Sequence, residues 1–168
     1  MQVYFKVKAA QIEDFHLIVE REGDIGGLYL GNARCACDYD VLKKEKLAVV
    51  LDVAGIDHKY PEGTVAGHKV VKALDSPDFD LSACFEECFE FIDDHRRKGH
   101  NVLVHCVAGV SRSATIVIAY LMQSQDIDLW QAQEDVRRIR SVIRPNQGFM
   151  NQLKKYEKEI IKRRNQYS

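Results

Sequence analysis

The sequence predicts an α/β fold: a central, mostly parallel sheet with helices on both faces. Two observations point there. Short apolar runs alternate along the chain with longer segments of helical periodicity, the pattern of βαβ units. In addition, the run Val102-Leu103-Val104 leads through a small-residue loop straight into an apolar helix pattern from Ala114 to Met122.

Strand patterns are expected at Gly27–Leu30, Ala48–Val53, Lys69–Ala73 and Asn101–His105. Helical patterns are expected at Asp38–Lys46, Leu81–Lys98, Ser113–Ser124, Leu129–Arg140 and Phe149–Arg164. Val3–Ala9 alternates weakly and reads as an extra strand or a helix edge. Asp80, just before Leu81-Ser82-Ala83, is expected to cap the helix that follows. The last helix carries an apolar stripe of Phe149, Met150, Leu153, Tyr156, Ile160 and Ile161 for docking on the core. Its basic residues Lys154, Lys155, Lys158, Lys162, Arg163 and Arg164 read as a solvated face.

The chain reads as one domain over residues 1–168, with a core from about 25 to 161. Its 168 residues, 46% hydrophobic and 29% charged, are ordinary for a soluble globule. A net charge of −1 makes no case for nucleic acid as a partner. No apolar run approaches the ~20 residues that span a bilayer. No secretory signal is seen at the N-terminus, so cytoplasm, or alternatively nucleus, is the expected location.

The chemistry is concentrated in His105-Cys106-Val107-Ala108-Gly109-Val110-Ser111-Arg112-Ser113. Strand, tight loop and helix N-terminus make an anion cradle, because successive backbone N–H groups converge there and the helix dipole adds positive potential. Residues 107 to 112 are expected to bind the phosphoryl group, Arg112 with its planar fork. Cys106 would lie at the floor of the cradle. A free thiol has a pKa near ~8.5, which such surroundings lower by several units, so no adjacent base is needed for attack on phosphorus. Ser113 can donate to the departing thiolate. Cys106 as an inert core cysteine is the rival reading; Gly109 and Arg112 at their spacing argue against it.

A leaving alkoxide needs a proton from a carboxylic acid on a loop. Leu74-Asp75-Ser76-Pro77-Asp78 lies between a strand pattern and a helix pattern. Asp75, where the strand ends, is assigned the acid role, with Asp78 second.

With these residues in hand, the chain resembles the dual-specificity phosphatases, within the cysteine-dependent tyrosine phosphatases. Residues 105 to 113 match the signature His-Cys-x5-Arg-Ser without departure, and Asp75 stands at about the family's separation from the cysteine. Arg144-Pro145-Asn146-Gln147-Gly148-Phe149 is similar to the turn before the family's last helix, and Ile25 to Asn32 to its opening strand and turn. The resemblance implies a small, stand-alone atypical member acting on phosphotyrosine and phosphoserine/threonine in protein substrates, with no cofactor or metal. Asn146 is expected to support the catalytic loop, and His105 to bond nearby backbone and hold the thiolate's environment. Family members acting on inositol lipids place lysines in this loop; Val107, Ala108, Val110 and Ser111 carry no charge, which argues against that substrate. The alternatives are a non-catalytic phosphopeptide-binding module, a sulfur-transferring rhodanese-type enzyme, and the same chemistry on RNA 5′-phosphate or lipid phosphate.

Arg137 and Arg138 read as a solvated helix face, whereas Arg140 and Arg144, near the Pro145 turn, are candidates for a second phosphate or an acidic stretch of substrate. The histidines form no metal constellation. Five cysteines without metal-ligand spacing suggest thiols in a reducing compartment. Cys88 fits core packing; Cys35, Cys37 or Cys84 is a candidate to resolve an oxidised Cys106 as a disulfide.

Overall fold

The computed structural model describes residues 13–166, so the Val3–Ala9 segment lies outside the described residues. The element order is β1 (Phe15–Val19), β2 (Leu28–Gly31), α1 (Ala33–Ala36), α2 (Tyr39–Lys44), β3 (Leu47–Asp52), β4 (Gly67–Val70), a 3₁₀ turn (Ser82–Cys84), α3 (Phe85–Arg97), β5 (Asn101–His105), α4 (Arg112–Ser124), α5 (Leu129–Ile139) and α6 (Gln147–Gln166). The sheet runs β1-β2-β5-β3-β4. Among the strands of the described residues, β1 and β2 pair antiparallel and the other neighbours pair parallel.

Alternation along the central strands divides the core between two faces. Val49, Leu51, Val102 and Val104 point into the larger cluster, with α3, α4, α5 and α6. Val50 and Leu103 point the other way, against Cys35, Ala36 and Leu42 of α1 and α2. Period-2 geometry sends successive side chains to opposite faces, and a strand buried on both reads as a continuous apolar run. Helix α4 is covered on all sides: every residue from Ser113 to Met122 is buried.

The expected elements are present with shifted ends. The expected strand at Lys69–Ala73 is β4, Gly67–Val70, a half-buried edge strand. The expected helix from Leu81 is divided: a 3₁₀ turn precedes α3. Asp80 accepts from the Ser82 hydroxyl at 2.6 Å and the Ala83 amide at 3.3 Å, so it does hold this start. Strand β1 and the short α1 were not expected. β1 is an edge strand with no fully buried residue, which is why its alternation is weak.

Side-chain caps fix the ends of several helices. Asn32 takes the Cys35 amide, Asp38 those of Asp40 and Val41, and Asp128 that of Gln131. Helix α6 begins under Asn146, whose Oδ1 accepts from the Phe149 amide at 2.9 Å. Among the described residues no helix is long and apolar enough to cross a membrane.

Candidate active site

The site lies at the carboxyl ends of the parallel strands, where ligands bind in open α/β sheets. Strand β5 is the central strand and ends at His105; the chain turns through residues 106–111 and enters α4 at Arg112. Cys106 is 2% exposed. Its Sγ lies 3.1 Å from Ser113 Oγ and accepts from the Gly109 amide at 3.3 Å. Burial alone pushes this thiol up. The Ser113 hydroxyl and the amides of Ser113, Val110 and Gly109 outweigh burial and hold it below its ordinary value. Burial raises the other four cysteines, Cys35 and Cys88 to about 12, with Cys37 and Cys84 also moved up.

Arg112 is tied to the far side of the pocket, its Nη1 donating to the Ala73 carbonyl at 3.0 Å. Its Nε is a buried donor without a hydrogen-bond partner, an arrangement suited to an incoming oxyanion. Two residues beyond Ala73, Asp75 accepts from Asn146 Nδ2 at 3.0 Å. The Asn146 backbone amide donates to Ser111 Oγ at 3.0 Å. Asn146 thus joins the aspartate loop, the cysteine loop and the start of α6. Gly148 completes the junction, since a Cβ there would stand 1.9 Å from the Pro77 carbonyl oxygen. Asp78 is exposed and engaged locally, its amide donating to Ser76 Oγ at 3.4 Å.

The loop is also held from outside. The Arg144 amide donates to the Val110 carbonyl at 2.7 Å and the Ala33 amide to that of Val107 at 3.0 Å. Thr115 Oγ1 donates to the Ser111 carbonyl at 2.8 Å. Gly109 has φ +67°, and a Cβ there would lie 2.5 Å from the Gly31 oxygen, so only glycine fits this turn. His105 is buried and donates from Nδ1 to the Cys106 carbonyl at 2.9 Å, as expected; burial lowers its pKa. Asp52, paired in register with His105, accepts from the amides of Ala54 and Asp57 at 2.8 Å each.

One sequence-based expectation is overturned. Arg140 has no exposure at all, so it cannot meet a second phosphate. It donates from Nε to the Gly109 carbonyl at 2.9 Å and from Nη2 to that of Ala108 at 3.3 Å. Sequence reasoning missed this because α5 ends at Ile139, and the turn that follows points the side chain inward. Arg144 remains exposed. Arg137 and Arg138 pair along the helix surface with Glu134 and Asp135. Of the three cysteines considered as resolving partners, Cys35 is buried beneath Gly31, its Sγ donating to the Asn32 carbonyl at 3.1 Å.

Residues 28–159 match the family model for the dual specificity phosphatase catalytic domain. The chain is 43% identical over 135 residues to dual specificity protein phosphatase 1 of Arabidopsis thaliana, covering 80% of this chain and 67% of that protein. It is 41% identical over 135 residues to human dual specificity protein phosphatase 22, covering 80% and 72%. The crystal structure of a mouse putative dual specificity phosphatase complexed with zinc tungstate superposes with a TM-score of 0.79 at 29% identity, covering 94% of each chain. A buried cysteine in a loop that leads into the helix opened by Arg112, a family model matched over residues 28–159 and relatives at about 40% identity lead to one family: the chain belongs to the dual-specificity protein phosphatases.

Proposed function

We propose that this protein phosphatase works through a phosphocysteine intermediate formed on Cys106. The thiolate attacks phosphorus, an S–P bond forms, and the ester O–P bond breaks. Asp75 gives its proton to the leaving oxygen. Water then attacks phosphorus while the Asp75 carboxylate takes its proton, and the S–P bond breaks to return the thiolate. Ser113 Oγ, 3.1 Å from the sulfur, donates to that thiolate as it leaves. Arg112 and the amides of residues 107 to 112 hold the phosphoryl oxygens, most strongly as charge builds in the transition state.

The single observation that carries this reading is a 2% exposed cysteine whose sulfur meets the Ser113 hydroxyl at 3.1 Å and the Gly109 amide at 3.3 Å. Tungstate is a tetrahedral oxyanion like phosphate, and its presence in the mouse relative's complex supports an oxyanion cradle here. The substrates are phosphoproteins, carrying phosphotyrosine and phosphoserine or phosphothreonine. The loop has no lysine, and Val107 and Leu74, the chain neighbours of Cys106 and Asp75, are exposed. Such surroundings suit a protein side chain better than an inositol headgroup. The unpaired cysteines support a reducing compartment, cytoplasm or nucleus, and a role in signalling by dephosphorylation.

The test is phosphate release from an aryl phosphate with EDTA present, by wild type and Cys106→Ser. Metal-independent turnover that disappears in the variant is expected. Turnover surviving in Cys106→Ser would overturn the mechanism. Asp75→Ala should slow the first step by ~10²-fold or more, most for leaving groups of high pKa.

A further inference from the structure

Gly109 presents its two backbone groups to opposite sides of the loop. Its N–H points in, to Cys106 Sγ at 3.3 Å, and its C=O points out, to Arg140 Nε at 2.9 Å. The left-handed φ of +67° places them so. Arg140 also takes the Ala108 carbonyl, at 3.3 Å from Nη2. From the other end of its fork, Nη1 donates to the Glu13 carbonyl at 2.8 Å and to His16 Nδ1 at 3.0 Å. The guanidinium is therefore buried among uncharged acceptors and clamps the cysteine loop to the segment entering β1.

We propose that Arg140 is a positioning residue for catalysis, holding the Ala108 and Gly109 carbonyls outward so that the loop amides stay turned toward Cys106 and the phosphoryl group. The physical argument concerns peptide rotation. A peptide unit is planar, so fixing its C=O fixes the N–H of the next residue on the opposite side. Arg140 bonded to the Ala108 carbonyl thereby orients the Gly109 amide, and bonded to the Gly109 carbonyl it orients that of Val110. These are two of the amides that stabilise the Cys106 thiolate. With the outward carbonyls released, either peptide can flip and present an oxygen to the anion. The planar fork reaches both carbonyls while Nη1 stays on β1, which a lysine cannot do. Charges also act on Arg140: burial lowers its pKa, while Cys35, Cys106, Asp14 and Glu13 raise it. The groups facing Cys106 itself are Ser113 and the loop amides.

This inference rests on the phosphocysteine reading, and the experiment separates the two. Arg140→Met and Arg140→Lys are compared with wild type for aryl phosphate turnover, inhibition by inorganic phosphate, and the pH dependence of Cys106 alkylation by iodoacetamide. Melting temperature is followed in parallel. The expected result for Arg140→Met is a fall in kcat/KM of at least ~10-fold, weaker phosphate inhibition, and an alkylation midpoint moved upward. Arg140→Lys should recover little of this. A variant that only melts earlier, with wild-type alkylation profile and phosphate inhibition, would show a structural role alone and overturn the proposal. If Arg140→Met does not fold, Arg140→Lys decides by the same readings; failure of both to fold assigns Arg140 to the fold and also overturns it. Cys106→Ser retaining turnover would instead remove the underlying mechanism.

Discussion

The side chain of Asn146 donates to the Asp75 carboxylate at 3.0 Å, across 71 residues of sequence. This one amide sets where the Asp75 carboxylate, the proposed proton donor, stands relative to the cysteine loop, because the Asn146 backbone is bonded to Ser111 Oγ. Its Oδ1 meanwhile caps α6 through the Phe149 amide. Replacing Asn146 by Ala should lower kcat for high-pKa leaving groups about tenfold, and loss of the cap should cost about 1 kcal/mol of stability. Asn146→Asp separates the two roles, since an aspartate keeps the cap but loses the donor. Leaving-group series and thermal melts on both variants check this; equal activity loss for good and poor leaving groups would contradict the link to the acid.

Ser113 is wholly buried beside the sulfur. Its hydroxyl and amide lower the Cys106 pKa against the effect of burial. Ser113→Ala removes the hydroxyl donor, so the thiol pKa should rise by about one unit and thiolate departure should slow. The checks are an alkylation pH profile and burst kinetics on a good leaving group. Accumulation of phosphoenzyme in the variant is the expected signature.

A methyl group at Gly109 meets the Gly31 oxygen at 2.5 Å and Arg140 Nη2 at 2.8 Å, at a φ of +67°. Gly109→Ala should cost roughly 1–3 kcal/mol in strain and abolish most turnover, because relief of the clash turns the loop amides away from Cys106. Denaturant unfolding and aryl phosphate kinetics measure both effects.

Four histidines, His16, His68, His95 and His105, have pKa values lowered chiefly by burial. A folded state that binds these protons less tightly than the unfolded chain loses stability as pH falls. The contribution is intact above the unfolded value of about 6.5 and is lost progressively below it, through the folded values. His16 adds a local effect, as its Nδ1 accepts from Arg140 and cannot do so when protonated there. Melting temperature should therefore drop from pH 7 to pH 5, and His105→Asn should flatten part of that slope. A melting temperature unchanged over this range would contradict the burial argument.

The cysteine loop was legible because each of its parts is local. Strand β5, the loop and α4 follow one another without interruption, so Cys106, Gly109, Arg112 and Ser113 are placed by short-range geometry. Asp75 was picked out as standing where a strand ends, but β4 ends at Val70, and it is the Asn146 side chain, 3.0 Å from its carboxylate, that ties it to the cysteine loop. Element ends were read less well: Asp80 and Leu81 suggested one helix from Leu81, yet a 3₁₀ turn intervenes before Phe85.

Two placements needed the folded chain. Arg140 carries no sequence mark distinguishing it from Arg144, and their charge and nearness to the Pro145 turn made both candidates for a second phosphate or an acidic stretch of substrate. The packing of α5 against α4 and the turn after Ile139 bury one under the cysteine loop and leave the other exposed. Likewise β1, half-exposed at a sheet edge, becomes a strand only by pairing with β2. What the sequence by itself determined was the α/β class and the strand–loop–helix junction that carries Cys106 and Arg112, since apolar periodicity and such a junction act over a few residues. Only the tertiary structure decided what braces that loop and holds the Asp75 carboxylate near it. Arg140 and Asn146 do so through partners far away in the chain, and hydrogen bonds of that kind are chosen by packing rather than by neighbouring residues.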